Sequence, residues 1–257
     1  MEPGGRAHEL REAFVEIHGH WDESWEGLLE LDPDFFQSYL DLAAVPHRQG
    51  TLEPKVRQLI LIAVDGAATH LYAPGLREHI SRALDLGAAP EEIMEVLQLT
   101  ATLGIHACNL GVPILLEEAA AMAGAAAEPE PFSARQEEIK SEFTEKRGYW
   151  NPFWDDLLRL APEFFAAYTR FSSIPWGNGV LEPKVKELIY TAFDASATHM
   201  FEPGLRQHIR NALGYGATTS EIMEVLELTS LIGIHSCATG VPLLREILRR
   251  RRAGGAP

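Results

Sequence analysis

The sequence predicts an all-α protein made of two copies of one helical unit, packed as a pseudo-twofold pair. Three observations predict it. Leu52 to Leu115 recurs without a gap 129 residues later, as Leu181 to Leu244, with about 38 of the 64 paired positions identical. Apolar residues return at helical spacing through nearly every segment. Neither a period-two strand pattern nor an Asn-Gly hairpin signal of any strength is present.

The elements follow in order. Trp21, Trp25, Pro33, Phe36 and Tyr39 pair with Trp150, Trp154, Pro162, Phe165 and Tyr168, so the duplication reaches upstream of the long match. Pro33 follows a turn and opens an amphipathic stretch through Leu40. Pro54 suits the first turn of a helix running through Ile60, Ala63 and Ala67, because its missing N–H costs nothing there. Pro74-Gly75 interrupts, and Leu76 to Leu86 reads as a shorter helix ended by Gly87. Pro90 starts the next helix, with Ile93, Val96 and Leu97 on one face. The second copy starts the same helix with Thr218 and Glu221, a capping box. Ala119 to Pro131 is Ala-rich and then Glu-Pro-Glu-Pro, a helix end becoming a linker. The expected units are residues 1–125 and 137–257, joined by a linker over 126–136. Each exposes an apolar face, and burying these faces against each other gives the pseudo-twofold arrangement.

Composition narrows the function. With 46% hydrophobic residues among 257, the chain can bury a core, which excludes disorder throughout. A formal charge of −15 opposes general binding to the dense negative charge of nucleic acid. Arg245 and Arg249 to Arg252 read as cations complementing a helix C-terminus. The two cysteines occupy equivalent repeat positions, which is not a disulfide framework and fits a reducing compartment. Met-Glu-Pro-Gly-Gly-Arg lacks the apolar core of a signal peptide, and no apolar run approaches the ~20 residues of a membrane span. A cytoplasmic, soluble protein with no membrane or nucleic-acid partner is expected.

Both copies keep an unusual polar set: Asp65/Asp194, His70/His199, His79/His208, His106/His235 and Cys108/Cys237. Asp65 and Asp194 interrupt apolar runs, where a carboxylate needs a partner or a raised pKa. His79 and His208 lie near the start of the helix after Pro-Gly, where the positive helix end lowers an imidazole pKa and suits proton exchange near neutrality. His70 and His199 precede the Pro-Gly break, where free carbonyls also satisfy a histidine. Glu187 lies seven residues before Asp194 on the same face, and the first copy has Gln58 there. Cys108 and Cys237 read as small hydrophobes. Packing tolerates apolar swaps, so an Asp, three His and a Cys kept in both halves point to chemistry.

At these residues the chain resembles the carboxymuconolactone decarboxylase and alkylhydroperoxidase D superfamily. The motif is Leu181 to Ile189, then His208 to Thr218, then Glu221 to Leu226, matched in the first copy by Leu52 to Ile60, His79 to Ala89 and Glu92 to Leu97. The resemblance implies two tandem alkylhydroperoxidase D-like all-α units and a ring assembly, here a homotrimer of fused dimers. It implies His79 and His208 as proton-transfer residues and Glu187 as the helix carboxylate. The peroxidase branch carries Cys-x-x-Cys where this chain has Tyr72 and Gly75, or Phe201 and Gly204, so disulfide-based peroxide reduction is excluded.

The leading expectation is a cofactor-free lyase or isomerase acting on a small carboxylated lactone or β-keto acid. His79 and His208 serve as acids, Asp65 and Asp194 set their tautomers, and His70, His199, His106 and His235 line the pocket and stabilise the enolate. The first alternative is a divalent transition metal bound by His70, His79 and His106 and by the equivalent residues of the second copy. The second is a non-catalytic oligomeric ligand-binding scaffold, and the residue is thiol chemistry at Cys108 and Cys237.

Overall fold

The computed structural model describes residues 3–124 and 129–253, and no strand occurs among them. The first half contains α1 (Pro3–His18), α2 (Glu23–Leu31), α3 (Pro33–Gln49), α4 (Pro54–Gly66), α5 (Ala73–Asp85), α6 (Pro90–Ala101) and α7 (His106–Ala123), with a 3-10 turn at Thr102–Ile105. The second contains α8 (Ala134–Arg147), α9 (Asp155–Leu160), α10 (Pro162–Gly177), α11 (Pro183–Ala195), α12 (Glu202–Gly214), α13 (Thr219–Ser230) and α14 (His235–Ala253), with 3-10 turns at Pro152–Trp154 and Leu231–Ile234. Prolines open α3, α4, α6, α10 and α11 as expected. Asp22 and Asp32 cap α2 and α3 with their side chains, and Thr218 and Glu221 form their capping box. The linker differs from expectation. Ser133 caps α8, which is already helical at Ala134, and residues 125–128 lie outside the described part.

The halves share one core. Leu59, Ile60 and Ile62 of α4 pack with Leu188, Ile189 and Phe193 of α11, all buried. At each end the last helix of one half completes the small core of the other. Ile234 and Ala238 join Leu10, Phe14, Leu28 and Phe36, while Ile105 joins Ile139, Phe143, Leu158 and Phe165. Cys237 and Cys108 pack against these two clusters as apolar groups. Arg245 reaches Glu30 at 2.7 Å, so part of the basic C-terminal helix is engaged by the opposite half.

Reciprocal carboxylates clasp the halves. Glu224 of α13 accepts the Leu52 N–H at 2.8 Å and pairs with Arg57 at 2.6 Å. Glu95 of α6 accepts the Leu181 N–H at 3.0 Å and pairs with Lys186 at 2.8 Å. Gly50 and Gly179 permit this approach, since a Cβ at either would lie 2.1 Å from a clasping carboxylate oxygen. Removing one member leaves a buried, uncompensated charge. Glu95→Ala should therefore cost about 3–5 kcal/mol in urea unfolding; a cost below about 1 kcal/mol would show that the clasp is not a stabilising element.

Pro90–Ala123 and Thr219–Ala253 are helical stretches long and apolar enough to cross a membrane, contrary to the expectation that no segment is. The reason is that α6 and α7, and likewise α13 and α14, run nearly continuously through a 3-10 turn. α6 and α13 pack on helices of both halves, while Leu110, Ile114, Leu243 and Leu244 are exposed.

Candidate active site

Asp65 lies at the end of α4 and Asp194 at the end of α11, and both are 0% exposed. The chain then reverses tightly. His70 and Leu71 donate their N–H groups to the Ala67 carbonyl at 2.8 and 2.9 Å, and Tyr72 donates to the Asp65 carbonyl at 2.9 Å. The second half repeats this with His199, Met200 and Phe201. Leu71 has φ 48° and Met200 φ 52°, a left-handed conformation that is costly for such side chains. The reversal sets each histidine beside the aspartate at the end of its own helix.

The third imidazole comes from the opposite half. His235, at the start of α14, approaches His70 with Nδ1 to Nε2 at 2.9 Å. His106, at the start of α7, approaches His199 at 2.6 Å. Tyr72 stacks on His235 and Phe201 on His106, each with ring centroids 3.8 Å apart. The expected grouping of His70, His79 and His106 is therefore corrected: His70 and His79 meet His235, and His199 and His208 meet His106. The physical reason is the crossing of α7 and α14, which carries the last histidine of each half to its neighbour.

Each aspartate faces three ring nitrogens. Asp65 Oδ1 lies 3.7 Å from His70 Nε2 and from His235 Nδ1, and Oδ2 lies 3.7 Å from His79 Nε2. Asp194 Oδ1 lies 3.7 Å from His106 and 3.9 Å from His199, and Oδ2 lies 4.0 Å from His208 Nε2. None of the four carboxylate oxygens has a hydrogen-bond partner. Burial pushes both aspartates up to about 7. Burial also holds His79 and His106 down at about 3 and His235 at about 4, so these rings are neutral at pH 7. A buried carboxylate without a donor, facing neutral imidazoles, is an unsolved electrostatic problem in the bare protein. The Oδ1 side of each centre offers two histidines and one carboxylate with ligating atoms within 4.8 Å of one another. This donor set suits a divalent first-row transition metal with open coordination positions.

His79 and His208 stand apart on the Oδ2 side. Both lie in the second turn of their helices rather than at the start, so burial, not the helix dipole, lowers His79. Their tautomers are set by a helix neighbour, not by the aspartate. His208 Nδ1 meets Glu187 Oε2 at 2.6 Å, and His79 Nδ1 meets Gln58 Oε1 at 2.9 Å. Glu187, also bonded by Asn211 at 3.2 Å, sets a carboxylate against His208 where the first centre sets the amide of Gln58 against His79.

Gly75 and Gly204 stand against the two aspartates, a closeness that no local sequence pattern signals. A Cβ at Gly75 would lie 2.0 Å from Asp65 Oδ2, and one at Gly204 2.2 Å from Asp194 Oδ2. The position where the peroxidase branch carries its second cysteine thus has no room for any side chain beside the carboxylate.

The family profile described as "Carboxymuconolactone decarboxylase family" matches residues 33–109 and 162–233, once in each half. A crystal structure from Burkholderia xenovorans LB400, described as a candidate gamma-carboxymuconolactone decarboxylase subunit, is 50% identical with a TM-score of 0.91. The match covers 95% of this chain and 98% of that one. No curated protein matches the chain. These similarities support a decarboxylase-like lyase at family level. The chain belongs to the carboxymuconolactone decarboxylase family, as a member carrying two family units in tandem.

Proposed function

We propose that the chain is a lyase that removes CO2 from a small carboxylated lactone or β-keto acid, with the second centre as the working site. The observation that carries this reading is the orphaned Asp194 carboxylate, ringed by His106, His199 and His208. Asp194, His106 and His199 would hold a divalent cation, which would supply Lewis-acid charge stabilisation to the developing anion. The remaining work belongs to side chains. The bond between the carboxyl carbon and the α-carbon breaks, and its electron pair moves to the neighbouring carbonyl oxygen. His208 Nε2 then gives a proton to the α-carbon, and Glu187 stabilises the imidazolium beforehand through Nδ1. Solvent returns the proton. His79 lacks such support, which favours the second centre over the first.

Turnover is measured as CO2 release from a panel of carboxylated lactones and β-keto acids. His208→Gln should lower it about 10²–10⁴-fold, while His79→Gln leaves most of it. Unchanged turnover in His208→Gln, or no release from any panel member, would overturn the reading. The exposed apolar residues Leu110, Ile114, Leu243 and Leu244 support a further proposal, a homotrimer of fused dimers.

A further inference from the structure

We propose that a recess around Arg147 is a carboxylate-binding subsite, present at the second centre and missing from the first. This deepens the lyase reading and rests on it for the substrate's chemistry. The recess is lined by Asn109, Arg147, Trp154, Tyr190, His106 and His208, among others, and so adjoins the second centre. It is tight, with about 20 Å³ open to the centre of a water molecule, space for a water or two or for one carboxylate group.

Its walls carry donors with nothing to donate to. Arg147 is 5% exposed, and its Nε has no hydrogen-bond partner. Trp154 Nε1 and both amide atoms of Asn109, Nδ2 and Oδ1, are likewise buried and unpartnered. The guanidinium is held by aromatic faces, 5.0 Å from the Trp176 centroid and 5.5 Å from that of Tyr190. Tyr190 in turn stacks on His208 with centroids 4.3 Å apart, which links the cation to the proton donor. A planar cation with free N–H groups beside two further donors matches the two oxygens of a carboxylate. The nearby carboxylates are Glu187, whose oxygens are engaged by His208 and Asn211, and Asp194 of the adjoining centre, 4.0 Å from His208 Nε2.

The first centre lacks these groups. The repeat places His18 where the second centre has Arg147, Ala238 where it has Asn109 and Leu61 where it has Tyr190. His18 is spent on Tyr39, ring nitrogen to hydroxyl at 3.2 Å, and burial holds it neutral. An ion pair with Arg147 would stabilise a carboxylate against loss as CO2, so the group held there is one the product retains.

The test uses the full chain and levulinate, a keto acid that does not decarboxylate readily, followed by calorimetry and tryptophan fluorescence. Wild type should bind one levulinate per chain, displaced by acetate but not by acetamide. Arg147→Met should weaken binding at least about tenfold, Arg147→Lys should recover part of it, and Asn109→Ala should weaken it several-fold. His18→Gln should bind as wild type. Protein stripped of cations should keep the Arg147 dependence; if it does so yet contains no metal as purified, the cation reading fails and the subsite stands. Binding of two levulinates per chain overturns the proposal, as does unchanged affinity in both Arg147→Met and Asn109→Ala. So does loss of all binding on chelation, or Arg147→Met that is only less stable, which would make Arg147 a structural counter-ion of Glu187.

Discussion

Asp65→Asn combined with Asp194→Asn should lower CO2 release about 10³-fold or more and should raise the Tm of the cation-free protein. The two effects have one cause. Each carboxylate is fully buried with both oxygens unpartnered, and burial has pushed its pKa up to about 7. As pH rises from the ordinary carboxylate range to about 7 the folded chain keeps protons that the unfolded chain releases, so stability falls through that window and the wild-type residues are a full cost to folding above it. Asparagine keeps the shape, removes the charge and can donate N–H to an unprotonated imidazole nitrogen, which an ionised aspartate cannot do. Activity lost with stability gained is the signature of residues retained for function. The check is CO2 release together with thermal unfolding of chelator-treated protein. A lower Tm with activity retained would show the aspartates to be structural anchors instead.

The crossing of the halves gives a second large effect. His106→Ala with Asp194→Asn changes one residue in each half but damages a single centre. His106→Ala with Asp65→Asn confines both changes to the first half but damages both centres. An ion at a thousandfold excess over its Kd stabilises the fold by about 4 kcal/mol per site. At about 2–4 °C per kcal/mol, each occupied centre adds on the order of 10 °C to the Tm. On adding Zn2+ to stripped protein, the His106→Ala/Asp194→Asn variant should keep about half of the wild-type rise. The His106→Ala/Asp65→Asn variant should show almost none. The reverse order would mean that each half builds its own centre.

What could be read from the chain divides along the range of the interactions. Helix starts were readable because they rest on local chemistry: Pro54, Pro90 and the Thr218/Glu221 box satisfy or remove N–H donors within one turn. The polar set was readable because duplication singles out residues that packing alone would let drift. Partnership was not, since His106 is three residues from Leu103 in sequence yet meets His199, 93 positions away, only through the crossing of α7. Nor was the meaning of Arg147 or Gly204 apparent. A cation in the last turn of α8 reads as a dipole partner, and a glycine after proline reads as a helix breaker. One signal was available: Arg147 and Asn109 are among the positions where the two halves disagree, and function is proposed to lie in that disagreement as much as in what they share.

A cation held at each crossed centre would unite the buried aspartates with the paired imidazoles. The most direct test is anomalous diffraction from crystals of untagged protein, recorded on both sides of the absorption edge of the metal found by elemental analysis. Two peaks per chain are expected, one about 2.0–2.2 Å from His106, His199 and Asp194 and the other at the same range from His70, His235 and Asp65. Crystals grown without chelator that show no anomalous peak, with ordered water bridging the aspartates and imidazoles instead, would contradict it.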